Sequence, residues 1–334
     1  MLLSICIPTF NSEKQLYICL NSILNQRPHD FDCQIMLIDS NSTDQTYKLI
    51  QSYKSRMKIS IHNVGKCSIG EARNYGIRNS DSKYIIFLDS DDALSDNRLL
   101  IDSLIINNNR TIDFIFGDSI QLVKSSKEFS YYTKSPNIPS KYIFLNIPFN
   151  LSSITISRTK IMNKKLFFLK GIEGRLGEDW KFILSITREF TMYEYSSNPR
   201  VIINSRNDSH TQNNIQANLG IATVKFLCFE YLKYFKSLPF LNRVSFSLQI
   251  QSSLLLALIK LIRFSNDRSF IRIYSSFKKH YFSYVQIPFV YLCINFLLFP
   301  YSIYLLVFKH RRSILSPLRR KLSIKEFDKY SSLL

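Results

Sequence analysis

The chain has 334 residues, 46% of them hydrophobic and 21% charged, which allows two domains with buried cores and excludes bulk disorder and a multi-pass membrane protein. Eight glycines exclude a collagen-like or glycine-rich repeat. The departure from average is charge: 44 Lys and Arg against 25 Asp and Glu give a formal +19, which points to an anionic partner among nucleic acid, phospholipid and nucleotide phosphate.

Residues 3–8 form a short apolar run that predicts a buried strand, and Thr9-Phe10-Asn11-Ser12 supplies a turn and a helix N-cap. Leu16, Leu20, Ile23 and Leu24 recur at helical spacing until Arg27-Pro28 ends the pattern. A second buried strand over 34–39 leads through a polar turn, where Ser42 or Thr43 can cap, into a helix over about 43–53. The unit then recurs as strand 58–63, helix 69–79 and a fourth strand over 83–88, apolar on both faces. This alternation predicts an α/β fold with a mainly parallel sheet flanked by helices, whose ligands sit at the carboxyl ends of the strands. Beyond 112–116 the pattern is broken by Pro136, Pro139 and Pro148. Residues 153–157 read as another strand, a helix begins near Glu178, and 193–204 is extended.

From Ala217 the chain reads as helical and apolar over 221–235, 244–264 and 287–308. Charge divides at the same place. Residues 1–216 hold 26 basic and 21 acidic side chains, whereas 217–334 hold 18 and 4. Two domains are expected with that boundary, a catalytic one at 1–216 and a basic, aromatic helical region at 217–334. Six scattered cysteines show no metal-ligand spacing and read as reduced thiols. The first apolar run ends at Pro8 with no basic segment ahead of it, so no secretory signal is expected and the catalytic part is placed in the cytoplasm.

Four groups of residues carry chemistry. Asp89-Ser90-Asp91-Asp92 puts three carboxylates after a buried strand, where each raises the others' pKa unless a cation offsets them. Hard oxygen donors suit Mn2+ or Mg2+ shared with a substrate diphosphate. The alternative is a solvated acidic turn. Asp39 ends the second strand and can accept a hydrogen bond from a base N–H, while Ser42, Thr43 and Asp44 after it serve the turn. Arg73, in Gly70-Glu71-Ala72-Arg73-Asn74-Tyr75-Gly76, is a phosphate or carboxylate partner or else a surface salt bridge to Glu71. Glu178-Asp179 opens a helix and either answers its dipole or supplies a general base. A phosphate loop, a dinucleotide fingerprint and a nucleophile elbow are all missing.

In this order the motifs resemble those of the family 2 glycosyltransferases over roughly residues 2–210: Ser4-Ile-Cys-Ile-Pro-Thr-Phe-Asn11, Leu37-Ile-Asp-Ser-Asn-Ser-Thr-Asp-Gln-Thr46, Gly70 to Ile77, Tyr84-Ile-Ile-Phe-Leu-Asp-Ser-Asp-Asp92 and Gly177-Glu-Asp179. The resemblance implies a GT-A fold and an inverting, metal-dependent transfer from a nucleoside diphosphate sugar. Thr9 and Asp39 would then contact the nucleobase, usually uracil, with Arg73 assisting at the nucleotide. Asp89 and Asp91 would meet the ribose and the diphosphate-bound Mn2+ or Mg2+, with Asp92 beside the metal. His210 is a candidate metal ligand or a surface histidine. Asp179 would be the general base, with Glu178 second. Ser40 departs from the acidic residue often found there, and the Q-x-x-R-W signature of processive synthases is absent, which favours single transfer.

The run 287–308 has no formal charge and basic clusters at both ends, at Lys278-Lys279 and Lys309 to Arg312. A single span would set one cluster against the positive-inside rule, whereas an interfacial segment satisfies both on one anionic leaflet. The expected partners are a nucleotide-sugar donor, a glycan or lipid-linked acceptor and an anionic membrane surface at the cytoplasmic face. Nucleic acid is not expected, because the basic residues bracket apolar runs. The alternatives are a buried accessory helix for 287–308 and, for the whole, a non-catalytic nucleotide-sugar or membrane-binding protein on the same fold. The latter predicts damaged acidic motifs, and Asp91, Asp92 and Asp179 are intact.

Overall fold

The computed structural model describes residues 1–26, 32–123, 128–132, 150–170, 178–205 and 319–321. Its first half is the expected repeat: β1 (Leu3–Thr9), α1 (Glu13–Leu24), β2 (Cys33–Asp39), α2 (Thr46–Tyr53), β3 (Ile59–Asn63), α3 (Ile69–Asn79) and β4 (Tyr84–Phe87). These four strands are parallel in the order β4-β1-β2-β3. Thr9 lies opposite Asp39, and Asp39 opposite Asn63, so three strands end level. The continuous apolar runs feed two cores by period-two alternation. Ile5 and Ile7 of β1 face one with Leu16, Leu20 and Ile86, and Cys6 faces the other with Ile77, Phe87 and Phe182.

The second half departs from a parallel sheet. It comprises β5 (Ala93–Leu94), α4 (Arg98–Asn108), β6 (Phe114–Val123), β7 (Glu128–Tyr132), a 3-10 turn (Leu151–Ser153), β8 (Thr155–Ser157), α5 (Arg158–Lys164), α6 (Glu178–Glu189), β9 (Tyr193–Ser205) and β10 (Arg319–Lys321). Beyond β4 the order runs β8, β6, β7, β10 with antiparallel pairing, while β9 lies parallel to β6 and antiparallel to β5. The expected strand over 153–157 is shorter, because the Asn150 side chain accepts from the Ser153 N–H at 2.9 Å and curls the preceding residues into the turn.

Two expected helix caps are also revised. Ser12 precedes α1, but its hydroxyl donates to the Phe10 carbonyl at 3.1 Å and makes no cap bond. Helix α2 starts at Thr46, whose N–H goes to Asp44 Oδ1 at 3.0 Å. Ser42 is drawn into the strand-end loop instead, where Asn41 takes φ 66°.

The chain falls into two compact units, Met1–Val224 with Arg319–Leu334, and Lys225–Leu318. Strand β10, in the first of these units, pairs with β7. His210 and the apolar runs 221–235, 244–264 and 287–308 lie outside the described residues. Among the described residues no helix is long and apolar enough to cross a membrane.

Candidate active site

Helix α3 organises the site. Ser68 caps it: its hydroxyl accepts from the Glu71 N–H at 3.3 Å, and Glu71 Oε2 accepts from the Ser68 N–H at 2.9 Å, a capping box. With Glu71 serving the helix end, Arg73 turns inward. Gly70, Arg73 and Asn74 share one face at i, i+3 and i+4. A Cβ on Gly70 would collide with the Leu169 carbonyl oxygen, so glycine lets residues 168–169 press against the helix. The Asn74 amide fastens them, donating to the Phe168 carbonyl at 2.9 Å and accepting from the Phe168 N–H at 2.8 Å.

Arg73 has 3% of its side chain exposed. Its Nη2 donates to Asp89 Oδ1 at 2.6 Å and its Nη1 to Glu178 Oε1 at 2.9 Å, while the guanidinium lies 5.4 Å from the Phe168 ring centroid. Arg73, expected to assist at the nucleotide, is buried here. It is a clamp between the acidic turn after β4 and the start of α6, joining residues 89 positions apart in the chain. Against the opposing effect of burial, the carboxylates of Asp89, Glu178 and Asp179 hold its pKa above the ordinary arginine value. Deleting one member of such a buried set leaves uncompensated charge, at a cost of roughly 3–5 kcal/mol.

The acidic turn closes with the Asp92 N–H donating to the Asp89 carbonyl at 3.0 Å. The Asp89 side chain is 37% exposed and Asp91 is partly exposed, whereas Asp92 is buried. Burial first, then the charges of Asp89 and Asp91, push the Asp92 carboxyl well above the usual range, and hydrogen bonds from Ser152 and the Asn204 main chain oppose this. At the start of α6, burial pushes Glu178 up to about 7 against the pull of Arg73. Burial also raises Asp179, again opposed by Arg73 and by the Trp180 N–H that donates to its Oδ1 at 2.8 Å.

Thr9 and Asp39 meet at the level strand ends. Asp39 Oδ1 accepts from Thr9 Oγ1 at 3.3 Å and from Ser42 Oγ at 2.5 Å, and its Oδ2 accepts from the Ser42 N–H at 2.9 Å. A carboxylate has about four acceptor positions, so these three bonds leave Oδ2 room for one further donor. Ser40, in place of an acidic residue, lies 3.3 Å from Cys67 Sγ.

Asp89 and Asp91 offer hard oxygen donors, and the upward push that they exert on Asp92 is what a divalent cation relieves. Among the described residues no three His, Cys, Asp or Glu side chains group tightly enough to hold a metal alone. A Mn2+ or Mg2+ held here would need diphosphate oxygens to complete its ligands. Asp89, Asp91 and Asp92 come together with Arg73, Glu178 and Asp179; Thr9 and Asp39 stand at the ends of the adjoining strands. Sequence reasoning missed Ser152 and the buried cluster Arg98, Asp102 and Arg200. One signal was available, a charged i,i+4 pair inside the apolar run Arg98-Leu-Leu-Ile-Asp102.

Known proteins resemble the chain in sequence and in fold. Residues 4–164 match the family described as Glycosyl transferase family 2. Poly(ribitol-phosphate) beta-N-acetylglucosaminyltransferase TarP of Staphylococcus aureus is 27% identical over 220 residues, covering 64% of this chain and 66% of that protein. Among solved structures, S. aureus TarS residues 1–349 in complex with UDP-GlcNAc superposes with a TM-score of 0.54 at 18% identity, over 68% of this chain and 66% of that one. The mannosyltransferase PcManGT from Pyrobaculum calidifontis, in complex with GDP-Man and Mn2+, gives 0.52 at 12% identity over 87% and 82%. The chain thus spans about two thirds of the length of TarP. Residues 4–164, just under half of the chain, thus match the family 2 glycosyltransferases, and the fold is that of GT-A glycosyltransferase structures.

Proposed function

We propose that this protein is an inverting, single-transfer glycosyltransferase that moves one sugar from a nucleoside diphosphate sugar, a UDP-sugar by preference, to a hydroxyl of a cell-surface or lipid-linked glycan precursor. The observation that carries the reading is the Arg73 clamp, which fixes the acidic turn and the Glu178-Asp179 pair in one cluster. The donors bound in related structures are nucleotide sugars, and TarP acts on poly(ribitol phosphate).

In this reading Asp39 Oδ2 accepts from the base at the strand ends, and Asp89 and Asp91 face the ribose and diphosphate. Asp91 with Asp89 would hold a divalent cation, which would supply charge neutralisation for the leaving diphosphate. Asp92, buried behind them, shapes the turn. Asp179 takes the proton of the acceptor hydroxyl as its oxygen attacks the anomeric carbon opposite the leaving group, which inverts that centre. Its raised pKa makes it a stronger base than an ordinary carboxylate. We also place the work at the cytoplasmic face of the membrane, a reading supported by the basic excess of residues 217–334 around apolar runs.

Asp179→Asn tests the assignment. Transfer should fall by roughly 10²–10⁴-fold, while UDP binding in Mn2+ stays near wild type. Near-normal transfer by the variant would remove Asp179 from the role of base.

A further inference from the structure

Behind the acidic turn lies a mount that the donor-site assignment leaves unused. Arg98 and Asp102 on α4 and Arg200 on β9 are almost wholly buried. Arg200 Nη2 lies 2.7 Å from Asp102 Oδ1, and Arg98 Nε 3.6 Å from Asp102 Oδ2. Thr155 Oγ1 sits among them, accepting from Arg98 Nη2 at 3.4 Å and Arg200 Nη2 at 3.0 Å and donating to Asp102 Oδ2 at 2.5 Å.

Two buried cations against one carboxylate leave a positive charge that needs other partners. Main-chain carbonyls of one short segment supply them: Arg98 donates to Ser152 and Ile154, and Arg200 to Ser153. The 3-10 turn is thereby gripped from two elements that are far apart in sequence.

The Ser152 hydroxyl joins that turn to the acidic turn. Ser152 Oγ accepts from the Asp89 N–H at 3.4 Å, and its hydroxyl bears on the Asp92 carboxyl, opposing the upward push of burial. One hydroxyl has one proton and two lone pairs, so it can accept from the first residue of Asp89-Ser90-Asp91-Asp92 while donating to the last. We propose that Ser152 is a positioning residue for the donor site, tying the acidic turn at Asp89 to the Arg98–Asp102–Arg200 mount so that Asp89 and Asp91 are held ready for the diphosphate and its cation. The inference rests on the assignment of this turn to the donor diphosphate.

Ser152→Ala and Ser152→Thr in the full chain test it, with calorimetric titration by UDP in Mn2+, donor KM and kcat, and thermal melting. Ser152→Ala should weaken UDP binding and raise the donor KM by about tenfold, the scale on which lost outer-shell support acts. Its kcat should stay within about threefold, and Ser152→Thr should recover affinity by restoring the hydroxyl. Wild-type affinity and KM in Ser152→Ala, with or without a lower melting temperature, would overturn the proposal and leave Ser152 a structural residue. So would a folded Ser152→Thr that recovers nothing. A wild-type chain that binds neither UDP nor GDP in Mn2+ would remove the donor-site assignment itself, and the inference with it.

Discussion

Arg73 carries one positive charge and meets Asp89 at 2.6 Å and Glu178 at 2.9 Å, with Asp179 also bearing on its charge. Negative charge is therefore in excess, and the carboxyl with 11% of its side chain exposed, Glu178, is pushed up to about 7. The folded protein thus keeps a proton that the unfolded chain releases near the ordinary glutamate value. Glu178 contributes stability at low pH that is lost as pH rises through about 7, the reverse of an acid pinned by a salt bridge alone. Glu178→Gln should flatten that slope. Between about pH 5.5 and about pH 8 the wild-type melting temperature should fall a few degrees further than that of the variant, corresponding to on the order of 1–3 kcal/mol. Parallel pH curves for the two proteins would show that Arg73 holds Glu178 ionised throughout.

Helix α3 is the element on which sheet and site depend together. One face carries Gly70, Arg73 and Asn74 to the site, and Gly76 abuts β1, where a Cβ would collide with Cys6 Sγ. Gly76→Ala should destabilise by about 1–3 kcal/mol through overpacking, despite the better helix propensity of alanine, as denaturant unfolding would register. A stabilised variant would mean that β1 and α3 can separate freely. The repeat from β1 to β4 was legible because each strand is a continuous apolar run and each helix has a 3.6-residue stripe. The carboxylates at strand ends followed from the same pattern. The second half was not legible in this way, because β8 has three residues and β6 pairs with β9 across most of a hundred residues of sequence. Arg73 shows the same limit: periodicity places it on a helix, but only the approach of residues 168–169 and α6 turns it from a surface cation into a buried clamp. Ser152 carries no local signal, since its role depends on the acidic turn, Arg98 and Arg200 arriving from three places.

At the scale of the whole molecule the basic charge is unevenly shared. Residues 1–216 carry only 5 of the net 19 charges, and residues 217–334 carry the other 14. Three of the basic residues, Arg319, Arg320 and Lys321, form the outermost strand on one side of the catalytic sheet. Lys278, Lys279, Lys309, Arg311 and Arg312 flank the uncharged run 287–308. At roughly 1 kcal/mol for each Lys or Arg held near an anionic leaflet, these five alone supply enough for reversible attachment, and the effect must fade as the Debye length shrinks from about 10 Å at 0.1 M salt to about 3 Å at 1 M. The full chain should therefore sediment with vesicles containing about 30% anionic phospholipid at low salt, and should leave them largely as salt approaches about 0.5 M. Vesicles of neutral phosphatidylcholine should retain much less. Equal retention on both vesicle types would make insertion of the apolar runs the main contribution, and no retention at low salt would move the charge to another anion, with a polyanionic acceptor such as a poly(alditol phosphate) the next to titrate.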